Sequence, residues 1–179
     1  MSESLLVVDV QAGFINGFTH HIPQRVVQLI QRDDYAPILF TRFINAANGP
    51  YYRFLNWHSC DREPETNLVP ELQPFAKPDF IFAKPGLCGM PDELAEYLRE
   101  QQTERIFIVG IDTDMCVLKI AMDLFDIGIE PLVLSDCCAS TAGLQAHLAG
   151  LAVLSRNIGA ERLYVAGLTE GSLAAPSAD

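Results

Sequence analysis

Cationic residues are scarce in this chain. Lys and Arg number 12 against 23 Asp and Glu, for a formal net charge of −11. No basic cluster interrupts that balance, which speaks against a nucleic acid or an anionic membrane as partner. Long apolar runs are missing too: MSESLLVVDV holds four consecutive apolar residues before Asp9 and no cationic lead. It reads as neither signal peptide nor membrane anchor, and a cytoplasmic location is expected. Cysteine is sparse and unpatterned. The five thiols, Cys60, Cys88, Cys116, Cys137 and Cys138, are odd in number and follow no CxxC or zinc-ribbon spacing, so they read as reduced residues. The glycine-rich dinucleotide fingerprint and the P-loop lysine motif are both absent. Position 11 is Gln, where an aspartyl phosphotransferase built on Asp9 would carry a second Asp.

What is present suits a single domain over residues 1–179, with 169–179 (TEGSLAAPSAD) as a flexible tail. An apolar content of 49% is enough for a buried sheet, and its surplus points to a homo-oligomer, a dimer or larger. Short apolar runs at Leu5–Val8, Pro37–Thr41, Phe80–Ala83, Ile106–Val109, Pro131–Leu134 and Arg162–Val165 read as strands. Helical spacing appears between them at Pro23–Arg32, Asp92–Gln101, from near Met115 to Gly128, and at Gly143–Arg156. Such alternation predicts an α/β sheet of about six mainly parallel strands. Residues 42–77 are the least regular part, rich in Asn, Gly and Pro yet also in aromatics, as expected of a cover or an interface.

Parallel strands put their carboxyl ends along one sheet edge, where α/β proteins hold their ligands. Asp9, Lys84 and Cys116 each end a strand or open the helix after one, so all three are expected in one crevice. Cys116, at the start of a helix, is expected to have its thiolate favoured. Each residue alone has a bland reading: a core cysteine, a surface lysine, an aspartate ending a strand. Together a carboxylate, an ammonium and a thiol make a nucleophile site. Cys137 and Cys138, after the fifth strand, read as small core residues, because neighbouring cysteines rarely meet disulfide geometry. His58 reads as structural. Cys88 is the one other candidate for a reactive thiol.

LLVVDVQAGFI, FAKPG and VGIDTDMCVLKIAMDLFDIGIEPLVLSDCCAS, in that order, resemble the isochorismatase-like cysteine hydrolases, which include nicotinamidases and N-carbamoylsarcosine amidases. The resemblance runs from Leu5 to about Leu168. It implies a three-layer, doubly wound, Rossmann-like fold, with Asp9 as base, Lys84 as activating cation and Cys116 as nucleophile. It further implies a cis peptide between Ile111 and Asp112, and an oxyanion site made by the backbone N–H groups of Asp112 and Cys116. The implied reaction is hydrolysis of an amide or ureido C–N bond of a small molecule through a Cys116 thioester.

The chain also departs from that family's pattern. Where nicotinamidases carry metal-binding Asp and His, it has Thr41, Arg42, Phe43, Ile44 and Asn45. Its histidines, His20, His21, His58 and His147, do not assemble a ligand set, so no metal and no other cofactor is expected. The remaining alternatives are a vinyl ether hydrolase of the isochorismatase type, disfavoured by the retained Cys116, and a catalytically idle binding or scaffold member. Gln11, Phe14, Phe43, Asn45, Tyr51 and Trp57 are the candidates for the substrate pocket, from loop position and chemistry.

Overall fold

The apolar run near the N-terminus lies at the centre of a six-stranded sheet. A computed structural model describes residues 3–84, 86 and 89–168. The strands are β1 (Glu3–Val8), β2 (Tyr35–Phe43), β3 (Ile81–Lys84), β4 (Arg105–Ile111), β5 (Glu130–Ala139) and β6 (Leu163–Tyr164). The helices are α1 (Ile22–Arg32), α2 (Pro50–Leu55), α3 (Asp92–Glu100), α4 (Leu118–Asp126) and α5 (Leu144–Ile158). The strand order is β3-β2-β1-β4-β5-β6, and every pair is parallel. This is the doubly wound order, whose direction reverses between β1 and β4.

Both faces of the sheet are covered. On one side Leu6, Val8, Leu39, Ile106 and Ile108 pack with α3, α4 and α5. On the other Leu5, Val7, Phe40, Val109 and Ile111 pack with α1 and with Leu68, Val69 and Leu72. Burial on both faces explains why the central strands read as unbroken apolar runs rather than alternating ones.

Several boundaries differ from the sequence expectation. β3 begins at Ile81 and includes Lys84, because Pro78–Phe80 forms a 3-10 turn. β5 continues to Ala139, so Cys137 and Cys138 lie within it rather than after it. Their side chains enter opposite cores, as adjacent strand residues must. β6 is shorter than expected. The irregular stretch 42–77 contains α2, a 3-10 turn at Gln73–Phe75 and an antiparallel bridge from Gln11 to Leu68. Cys88 and the tail 169–179 lie outside the described residues.

Glycine is required at two points beside the crevice. Gly110, in β4, has φ +134, and a side chain there would strike the backbone carbonyl of Val8 on β1. At Gly150 of α5, a Cβ would sit 2.8 Å from the Cα of Asp114. The absent side chain lets α5 press on the turn that carries Cys116.

Candidate active site

The sheet gathers its polar residues where β1 and β4 part. β1 ends at Val8, and Asp9 follows with a left-handed φ of 49, a conformation that a short polar side chain tolerates. Its neighbour in register on β2 is Thr41, opposite Val8. The Thr41 hydroxyl donates to Asp9 Oδ1 at 2.6 Å and accepts the Asp9 backbone N–H at 3.2 Å, which orients the carboxylate. Thr41 was not singled out from the sequence; its place at the end of the PILFT run was the available signal.

Lys84 comes from the end of β3, two strands away, and is fully buried, against the surface position a lone lysine would suggest. Its Nζ stands 2.7 Å from Asp9 Oδ2 and donates to Cys116 Sγ at 3.2 Å. The contact with Oδ2 is one of charge: that oxygen accepts no well-aligned hydrogen bond among the described residues. Burial acts to lower the Lys84 pKa, but the Asp9 carboxylate and then Cys116 outweigh it and push it up. The side chain is therefore held as an ammonium.

Cys116 departs from expectation in two ways. It lies in a π-helical turn, Thr113–Val117, that precedes α4, rather than in the first turn of that helix. The turn closes through Val117 N–H donating to Asp112 carbonyl at 3.0 Å. Single π turns often occur at functional sites. The thiol pKa is moreover raised, not lowered: burial acts first and the Asp9 charge second, while Lys84 pulls the other way without prevailing. The predicted helix field is small beside desolvation of an anion in a closed site. The resting arrangement is thus a thiol beside a carboxylate–ammonium pair.

A cavity of about 340 Å³ opens onto Cys116. Of the predicted pocket residues, Phe14, Phe43, Tyr51 and Trp57 line it. Their rings form one cluster, with Phe43 centroids 5.8 Å from Phe14, 5.5 Å from Tyr51 and 5.9 Å from Trp57. Gln11 and Asn45 do not line it. The buried Gln11 amide donates to the carbonyls of Phe43 (2.9 Å) and Thr66 (3.0 Å) and accepts the Phe43 N–H (2.7 Å), in effect extending the sheet. Asn45 donates to the carbonyls of Trp57 and Ser59 at 3.1 and 3.0 Å. Both hold the aromatic wall from behind, because their amides satisfy buried backbone groups that would otherwise be orphaned. Asn16, Leu55, Met115 and Thr141 also line the cavity, although sequence reasoning did not select them.

The Ile111–Asp112 peptide is cis, and both of its residues line the cavity. The Asp112 carboxylate accepts from Thr141 N–H at 2.5 Å and Thr141 hydroxyl at 2.8 Å, which ties the end of β5 to the Cys116 turn. His58 faces Asn56 and the ring of Tyr52. Among the described residues no three His, Cys, Asp or Glu side chains stand close enough to hold a metal ion, and no helix is long and apolar enough to cross a membrane.

The buried thiols make stability fall in alkali. The described cysteines are all free. Burial is the first cause in each, pushing Cys60 and Cys137 up to about 12 from an ordinary 9.0, with Cys116 and Cys138 raised as well. Between pH 9 and about 12 the unfolded chain has therefore released protons that the native chain still binds. Stability is full below that window and lost as pH rises through it, by on the order of 1 kcal/mol per pH unit for each thiol. The urea midpoint should drop steadily from pH 8.5 to 10.5; a level midpoint would contradict this account.

Comparison with known proteins yields a family model, Isochorismatase domain, matching residues 3–168. Isochorismatase family protein 2A of Dictyostelium discoideum is 23% identical over 76% of this chain, and the chain spans 66% of that protein's length. An isochorismatase-like hydrolase from Alkaliphilus metalliredigens superposes with a TM-score of 0.79 at 20% identity, covering 93% of this chain and 96% of that one. A nicotinamidase from Bacillus subtilis (TM-score 0.74, 20% identity) covers 92% and 99%, and an N-carbamoylsarcosine amidase from Thermoplasma acidophilum (0.74, 20%) covers 96% and 100%. At such identities the structures share a fold.

Proposed function

Because the chain belongs to the isochorismatase family of hydrolases, we propose that it is a metal-independent cysteine hydrolase that cleaves an amide or ureido C–N bond of a small molecule. The observation that carries the reading is the position of Lys84 Nζ, 2.7 Å from Asp9 Oδ2 and 3.2 Å from Cys116 Sγ, with Cys116 lining an aromatic cavity and the ion pair fully buried behind it. A buried ion pair beside a buried thiol is costly to assemble and contributes little to stability. Chemistry gives it a purpose.

The steps follow from the charges. Asp9 takes the Sγ proton as the substrate carbonyl enters, and the thiolate attacks the carbonyl carbon. Lys84 compensates the negative charge that then moves from the carboxylate to sulfur. The new oxyanion is received by the backbone N–H groups of Asp112 and Cys116; losing one such donor typically costs roughly 100-fold or more. Collapse expels the amine, which leaves with the proton held by Asp9, and a thioester remains on Cys116. Asp9 then deprotonates a water that attacks the thioester, and the proton returns to Sγ. Thr41, bonded to Oδ1, orients the base throughout.

Acid quenching during turnover of a primary amide should reveal, by intact mass, a chain heavier by the acyl group, with the addition mapped to Cys116. Ammonia release should continue in the presence of a chelator. Turnover that stops on chelation, or that proceeds while Cys116→Ala retains full rate, would count against the mechanism.

A further inference from the structure

We propose, resting on the hydrolase reading, that the cavity selects an uncharged carboxamide with an apolar acyl group and rejects amides whose acyl group bears a charge of either sign. The wall is made by Phe14, Phe43, Tyr51 and Trp57, with the exposed Leu55 and Met115 at the mouth, and among the described residues no Lys, Arg or His lines the cavity. A ligand carboxylate would leave water and find no cation there. Burying an unpaired charge is among the largest penalties a site can impose.

The charged groups near the floor are already committed. The Lys84 ammonium pairs with Asp9. Asp112 is the acidic side chain in the lining, and both of its oxygens accept bonds from Thr141. Asn16 is engaged as well: it donates to the Thr141 carbonyl at 2.9 Å and accepts the Phe18 N–H at 2.8 Å. An aromatic wall can also hold a cationic ligand. Here Lys84 Nζ already stands 5.5 Å from the Phe43 ring centroid, so a second cation on that ring would face the protein's own ammonium. What remains is mainly apolar area with uncharged polar groups, in a volume of about 340 Å³, at the small end of ligand pockets.

Trp57 is the chain's only tryptophan and it lines the cavity, so its emission reports occupancy without any chemistry. The Cys116→Ala variant would be titrated with three amides of similar length: hexanamide, the monoamide of glutaric acid as its anion, and an amide ending in trimethylammonium. Hexanamide should bind saturably with Kd lower than either charged amide by roughly tenfold or more. In the same titration, Leu55→Arg should narrow or reverse the preference against the anion, since it places a cation at the mouth. A charged amide that binds as tightly as hexanamide overturns the proposal, and so does the absence of any saturable change. Hexanamide binding to Cys116→Ala with no hydrolysis of any amide by the native chain supports the selectivity and removes the hydrolase reading, so the two fail separately.

Discussion

Cys116→Ala should reduce amide turnover by roughly 10⁴-fold or more while leaving the thermal melt nearly unchanged. In the proposed mechanism the thiol supplies the bond that divides one hard carbonyl step into two easier ones, and no other described cysteine lines the cavity to replace it. Cys60, Cys137 and Cys138 are buried away from the cavity lining. Because the resting thiol is held above its ordinary pKa by burial and by Asp9, the proposed mechanism requires the thiol and the carboxylate to work as a unit. Asp9→Asn, almost the same shape, should therefore lose activity on a comparable scale. The two losses should not add in the double variant, because removing either member already disables the pair. Cys116→Ser should not rescue the rate, since a hydroxyl is harder to deprotonate than a thiol and Asp9 would meet a larger uphill transfer. Steady-state ammonia release, read beside circular dichroism melts, decides the matter. A Cys116→Ala enzyme within tenfold of the native rate would mean that another group performs the attack.

Lys84→Met should cost roughly 3–5 kcal/mol of folding stability, the largest loss we expect from any single change in the crevice. Lys84 and Asp9 are both fully buried, and their contact is 2.7 Å. Methionine fills much of the same volume but leaves a carboxylate with Thr41 as its side-chain hydrogen-bond donor. The ammonium is also the group that lowers the Cys116 pKa, so its removal pushes the thiol higher still and turnover should fall with stability. The double variant Asp9→Asn/Lys84→Met separates these effects. Neutralising both partners removes the unpaired charge, so the urea midpoint should recover most of the loss while activity stays absent. A single Lys84→Met variant as stable as the native chain would show that the pair is not electrostatically coupled in the way its geometry requires.

The two corrections at the site have the same origin. Gln11 and Asn45 were expected to touch substrate because they are polar and sit in loops after strands. In the fold those loops run inward, and the amides are consumed by the backbone of the wall. The Cys116 thiol was expected to be acidified by a helix start; burial and the neighbouring carboxylate reverse the sign. Neither burial nor the distance to a charge 107 positions earlier in the chain is encoded in local spacing.

Periodicity and composition were enough to establish, from the chain alone, strands alternating with helices, because burial on two faces demands unbroken apolar runs and crossover helices demand a 3.6-residue stripe. The placement of Asp9, Lys84 and Cys116 at strand ends supplied the candidate triad, and the likeness of those segments to a known family supported it. Tertiary structure decided what those groups can do to one another. It set which oxygen of Asp9 faces the ammonium, that Thr41 holds the other, and that the thiol rests protonated. Four of the proposed pocket residues became wall and two became its support. The physical reason is range: hydrophobic patterning acts along a single element and is visible in order, whereas the energy of a charge depends on whatever surrounds it in space. Those surroundings come from β1, β2, β3 and the turn after β4, brought together only by folding.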